Sequence, residues 1–68
     1  MPPPARFQKG DKVIRVVKRD GKVIRQPCVI VIVEEADDTD PARYTVKIIE
    51  EGREIGTVEH KLCWPHER

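Results

Sequence analysis

The chain has 68 residues, which is one domain, and a chain of this length buries only about 60% of the surface that its unfolded form exposes. Three aromatic residues, Phe7, Tyr44 and Trp64, leave the core to Val and Ile, which favour strands and argue against a helical fold. The net charge of +1 excludes neither an anionic nor a cationic partner, because it hides a division: residues 1–28 sum to +6, residues 34–59 to −6 and the last nine to +1. No apolar run approaches the roughly 20 residues that span a bilayer, and no basic segment followed by an apolar stretch stands at the start. A cytoplasmic protein without membrane contact is expected.

Met1 to Arg6 carries three consecutive prolines, which hold the backbone extended and supply no ladder donor, so residues 1–6 are expected as a flexible arm. In Phe7-Gln8-Lys9-Gly10-Asp11-Lys12-Val13, Gly10 accepts a left-handed backbone and Asp11 bonds its own neighbours, which makes a turn feeding a strand. Lys12 to Arg25 then reads strand, turn, strand. Asp20-Gly21 is a strong two-residue hairpin signal, since both positions tolerate positive φ, and that register sets Val17 opposite Ile24. Gln26-Pro27 is expected to break or bend the second strand, because proline lacks the donor that a central ladder uses.

The run Cys28-Val29-Ile30-Val31-Ile32-Val33, as a regular strand, sends Val29, Val31 and Val33 to one face and Ile30 and Ile32 to the other. Both faces are apolar, so the outward set needs cover from the arm, a loop or another subunit. Glu34 to Pro41 holds five carboxylates but lacks the glycine and ligand spacing of a calcium loop, and reads as a solvated loop. Tyr44 to Ile49 alternates as a strand, Glu50 to Arg53 reverses it, and Glu54 to His60 returns in a register that the pattern leaves open. Leu62-Cys63-Trp64-Pro65 ends the fold as a short turn whose large side chains plug one end, with residues 65–68 as a tail.

Five short strands, an opening of the form aromatic-x-x-Gly-Asp-x-Val, a late hairpin and a terminal turn with Leu62 and Trp64 together resemble the SH3-like barrels, the group holding Tudor and KOW modules. The resemblance covers residues 7–64 and implies an all-β fold, a small five-stranded SH3-like barrel; this barrel hosts many functions. The layout also resembles the type II dihydrofolate reductases, whose Gly-Ser-Val-Gln-Ile-Tyr strand lines a pore shared by four subunits. Here Gly56, Thr57 and Val58 match, while Glu59-His60-Lys61 replaces the Gln-Ile-Tyr that holds folate and nicotinamide, and a carboxylate there repels an anionic cofactor. It is similar as well to the barrel of nitrile hydratase β subunits, through Arg25-Gln26-Pro27 and Tyr44-Thr45-Val46. That likeness implies an accessory barrel attached to a larger enzyme.

Among the chemical groups, Cys28, His60, Cys63 and His66 hold the ligand types of a tetrahedral zinc site, but not at a familiar zinc spacing, so neither metal nor other cofactor is assigned. Cys28 and Cys63 are expected as reduced thiols, since a small secreted domain carries more cysteines. No catalytic residue is assigned: Cys63 and His60 lack the orienting third group of a nucleophilic site. The expected function is an interaction or accessory module that binds a protein partner and itself, as a homo-oligomer, through Ile30, Ile32, Val58 and His60. A nucleic-acid-binding domain that uses Arg15, Lys18, Arg19, Lys22 and Arg25 is the first alternative, and a homotetrameric pore enzyme related to the type II reductases is the second.

Overall fold

Val and Ile are the commonest apolar residues of the segments between the glycine turns, and those segments fold as strands. In a computed structural model of the chain, residues 5–66 are described. They form β1 (Lys12–Arg19), β2 (Lys22–Glu34), β3 (Arg43–Ile48), β4 (Arg53–Val58), a 3-10 turn (Glu59–Lys61) and β5 (Leu62–Cys63). All pairings are antiparallel, in the order β4-β3-β2-β1-β5, so the domain is all-β with one five-stranded sheet. Its two edges are not joined by hydrogen bonds. No helix of the described residues is long and apolar enough to cross a membrane.

The first hairpin forms as its sequence directs. Asp20 and Gly21 have φ of 54° and 76°, the two positive values of a type I′ turn, and Val17 stands opposite Ile24. Of the break or bend expected at Gln26-Pro27, the break does not occur: β2 runs through Pro27 from Lys22 to Glu34. The Pro27 carbonyl accepts a hydrogen bond from the Ile49 N–H at 3.1 Å, so the nitrogen of the same residue also faces the β3 side. The β2–β3 ladder ends at Cys28–Ile48, so the missing proline donor falls at the end of that ladder and not within it.

The alternation expected across Cys28–Val33 is corrected by a β-bulge. Ile30 pairs with Val46 but Ile32 pairs with Thr45, which leaves Val31 as an extra residue. A one-residue insertion exchanges the faces beyond it. Ile30 therefore lies in the core at 2% exposure, Val33 follows it on the inner face, and Ile32 turns outward at 50% exposure. The expected outward Ile30 is thus an interior residue.

The core covers the inner face of the sheet: Val13, Cys28, Ile30, Tyr44, Val46, Ile48 and Leu62, capped by Phe7 and Ala5. The Phe7 ring meets Tyr44 edge-on at 5.5 Å between centroids and Trp64 at 4.8 Å, which places the terminal turn against the core as expected. Met1 to Pro4 and residues 67–68 lie outside the described residues; Ala5, counted with the arm in the sequence reading, is buried. The expected strand to His60 ends at Val58, where the 3-10 turn begins.

Phe7 is fully buried between two rings, so Phe7→Ala is expected to cost about 3–5 kcal/mol, a large share of the roughly 5–15 kcal/mol of a typical domain. Phe7→Leu retains most of the volume and should cost less than half as much. Urea unfolding followed by Trp64 fluorescence measures both; a loss under about 1 kcal/mol for Phe7→Ala contradicts this account.

Candidate functional site

β2 is 13 residues long, but only the part from Cys28 onward pairs with β3. On the other side β5 reaches β1 only at Ile14 and Arg15. From Val16 through the turn to Arg25 the chain is therefore a two-stranded ribbon that leaves the sheet. Alternation sets Arg15, Arg19 and Lys22 on the ribbon's inner side, with Lys18 and Arg25 on its outer side. The five basic residues singled out in the sequence thus come together on one element, divided between its two faces. Arg15, at the root, donates through Nη1 to the Gln26 side-chain oxygen at 2.7 Å and is half-buried, while the other four are exposed. Among the described residues, Lys18, Arg19 and Lys22 have no ion-pair partner. The hairpin from Lys12 to Arg25 holds six basic side chains and one acidic one, a net +5.

Five carboxylates stand at the other end of β2, while Glu50, Glu51 and Glu54 lie at the β3–β4 turn, whose Ile49 N–H bonds the Pro27 carbonyl. Glu34 closes the strand, and the loop after it carries Glu35, Asp37, Asp38 and Asp40. Asp37 shapes this loop: its Oδ1 accepts from the backbone N–H of Asp40 at 2.7 Å and of Thr39 at 2.8 Å, and from the Thr39 hydroxyl at 2.9 Å. Those donors hold the Asp37 carboxyl below the ordinary carboxylate range.

Of the residues expected to bind a partner, Ile32 and Val58 share the outer face near the acidic end, on either side of β3. Gly56 has no side chain to fill the space between them, and a shallow depression of about 460 Å³ opens there between Glu34, Arg43, Thr45 and Val58. His60 sits in the 3-10 turn, exposed, and Ile30 is in the core. The four do not form one surface.

A second cluster, which the sequence reading missed, pins the start of the chain. The Glu59 Oε1 accepts the Tyr44 hydroxyl at 2.7 Å and the Arg6 backbone N–H at 2.8 Å; Glu35 accepts the Ala5 N–H at 3.0 Å. The Phe7 N–H donates to the Tyr44 oxygen at 3.3 Å. The Tyr44 phenol and the Arg6 N–H lower the Glu59 carboxyl, and burial together with Glu59 raises the phenol. A 15-residue separation between Tyr44 and Glu59 carries no local sequence signal.

The cysteines and histidines are not gathered. Cys28 pairs with Val13 and Cys63 with Ile14, which places the two thiols on opposite faces of the sheet, two strands apart. That geometry suits neither a disulfide nor a shared metal, and both cysteines are free. The Cys28 thiol donates to the Gln26 carbonyl at 3.2 Å and is raised by burial, against the nearby Arg15. His66 stacks on Trp64. Among the described residues no three His, Cys, Asp or Glu side chains are placed to hold a metal ion.

Fold and site together define a small all-β domain whose longest strand runs from a basic ribbon to an acidic loop. Compared with known proteins, the chain matches no family model, and neither a curated protein nor a solved structure is significantly similar to it.

Because Glu59 titrates lower in the folded chain than in the unfolded one, its contribution is complete above the ordinary carboxylate pKa and is lost as pH falls through the folded value. The melting temperature should therefore drop as pH falls below about 4.5, and Glu59→Gln should flatten that drop while lowering stability at pH 7. Thermal melts from about pH 7 to pH 3 check this; equal slopes for the two proteins contradict it.

Proposed function

We propose that the protein is a non-catalytic SH3-like barrel that binds double-stranded nucleic acid through the β1–β2 ribbon. The barrel reading rests on the strand order: a four-stranded meander, a 3-10 turn, and a short fifth strand returned to β1. The binding reading rests on one observation, a ribbon that projects beyond the sheet with exposed cations on both of its faces.

A flat acidic surface would engage one face of such a ribbon. A groove engages both. The major groove of DNA, about 12 Å wide, admits a two-stranded ribbon between two walls of phosphate. Strands about 4.8 Å apart then present Lys18 and Arg25 to one side and Arg19 and Lys22 to the other. The contacts this ribbon offers are to the backbone: Phe7 and Tyr44 are buried and Trp64 lies against Phe7, which leaves no exposed ring on the ribbon for stacking on bases. Binding without strong sequence preference follows. The acidic loop, at the far end of β2, points the ribbon outward by repelling the same phosphates.

The pore-enzyme reading finds less support. The Thr57 side chain is buried on the inner side, and the Glu59 carboxylate is occupied by Tyr44 and Arg6.

If three or four phosphates are neutralised, affinity for a labelled duplex should fall about 40- to 150-fold between roughly 50 and 200 mM salt. Lys18→Ala with Lys22→Ala should reduce the slope of log affinity against log salt by about 2. Fluorescence anisotropy reads both. Absence of salt-dependent binding, or an unchanged slope in the double variant, overturns the proposal.

A further inference from the structure

β4 is an edge of the sheet, and the hydrogen-bond register decides which of its backbone groups face outward. The Ile49 N–H donates to the Pro27 carbonyl, so Cys28 and Ile48 are opposed without bonding each other. Ile48 therefore turns its peptide groups toward β4, and its carbonyl accepts the Gly52 N–H at 2.7 Å. Val46 and Tyr44 follow the same alternation, with Ile55 and Thr57 as their partners. The N–H and C=O of Glu54 and Gly56 then point away from the sheet, and no backbone bond from another segment of the described residues reaches them. Both residues are exposed. Glycine within a strand often marks a place where another backbone approaches closely, and Gly56 lies in the depression of about 460 Å³ beside Arg43 and Val58.

We infer that the β4 edge docks the β4 edge of a second copy of the chain, antiparallel about a two-fold axis at Ile55. Of the registers that the outward groups allow, one sets Glu54 against Glu54, where like charges repel, and another sets Gly56 against Gly56, where no side chains meet. In the remaining one Glu54 of each copy lies opposite Gly56 of the other, and each such pair exchanges both of its hydrogen bonds. The Glu54 side chain then crosses the place where Gly56 has none and enters the depression, diagonal to Arg43, an exposed cation without an ion pair among the described residues. The two Glu54 carboxylates are diagonal neighbours, and each has a cation on either side, Lys47 of its own copy and Arg43 of the other. On the inner face Ile55, already packed against the core, meets Ile55 of the other copy. A carboxylate and the gap that takes it, two residues apart on one edge, select this chain over an unrelated strand. One axis makes every contact twice, and the Gly52 turn and the 3-10 turn from Glu59 end the ladder, so the pair closes. So short a ladder gives a weak dimer, with a dissociation constant on the order of 10–100 μM. The basic ribbon lies on the far side of β3, so the pairing does not depend on nucleic-acid binding.

Sedimentation velocity on the full chain without nucleic acid, at about 10 to 300 μM, should show a monomer–dimer equilibrium, and Gly56→Pro should stay monomeric throughout. The Gly56 N–H bonds nothing within the sheet, so proline there removes no ladder bond of the fold, which Trp64 fluorescence melts verify. Arg43→Glu should weaken the dimer about 5- to 30-fold, since the contact occurs twice. The register has its own readout. With Cys63→Ser as background and Cys28 buried, Ile55→Cys should cross-link into a disulfide dimer under mild oxidation, because opposed residues of this pair type have Cα atoms about 4.5 Å apart; Glu54→Cys should not. A monomer over the whole range, a Gly56→Pro protein that still dimerises, an unchanged constant for Arg43→Glu, or cross-linking of Glu54→Cys in place of Ile55→Cys overturns the inference. A domain that binds duplex DNA yet stays monomeric sinks the dimer alone, and a dimer with these properties that ignores DNA sinks the nucleic-acid reading alone.

Discussion

Two edges of the sheet, β4 and β5, are left without a ladder between them, and the ring of Phe7 spans what the backbone does not. It touches Tyr44 on β3 and Trp64 just beyond β5, two residues from opposite halves of the sheet. In a domain with three aromatic residues, all three meet at this point. The rest of the arrangement depends on that cluster. Once Phe7 is seated, its own N–H and that of Arg6 reach the Tyr44 phenol and the Glu59 carboxylate, and the chain before β1 becomes part of the lid over the core. The ribbon from Val16 to Arg25 contributes no side chain to that core.

That freedom explains where the charge has gone. Cations crowded onto a packed part of the sheet would repel one another in a poorly solvated setting, whereas on a two-stranded ribbon Lys18, Arg19 and Lys22 remain in water. Arg15, the one basic residue of the group at the root, shows the other side of this rule: it is half-buried and leans on Gln26. The carboxylates follow the same logic in the loop beyond Glu34, where Asp37 is satisfied by its own neighbours. The proposed binding of nucleic acid draws on the basic end.

What could be read from the sequence was what local chemistry decides. Asp20-Gly21 announced its turn and its register, because the φ requirement of that turn belongs to those two residues. The strands of the second half were visible as alternating patterns, and the basic hairpin as a charge count. Two features were hidden for a physical reason. A bulge inserts one residue into a run of Val and Ile that is apolar at every position, so no polar residue marks the change of face at Val31, and the outward placement of Ile30 failed there. Pro27 looked like a break because the sequence does not show which edge its nitrogen faces. The bonds of Glu59 and Glu35 to the chain start are contacts of long sequence separation, decided by tertiary packing alone.

Pro27 marks a boundary with a further meaning. On its carboxyl side β2 is paired with β3, and with β1 as well as far as Val29; on its amino side it has β1 alone, and none of its side chains there belongs to the core. Substitutions in the ribbon therefore fall outside the cooperative unit that keeps the domain folded, while substitutions a few residues later fall within it. Under mutation the two parts are free to diverge at different speeds. The barrel is held by its packing, and the ribbon can lengthen, shorten or change its charges while the same scaffold carries it.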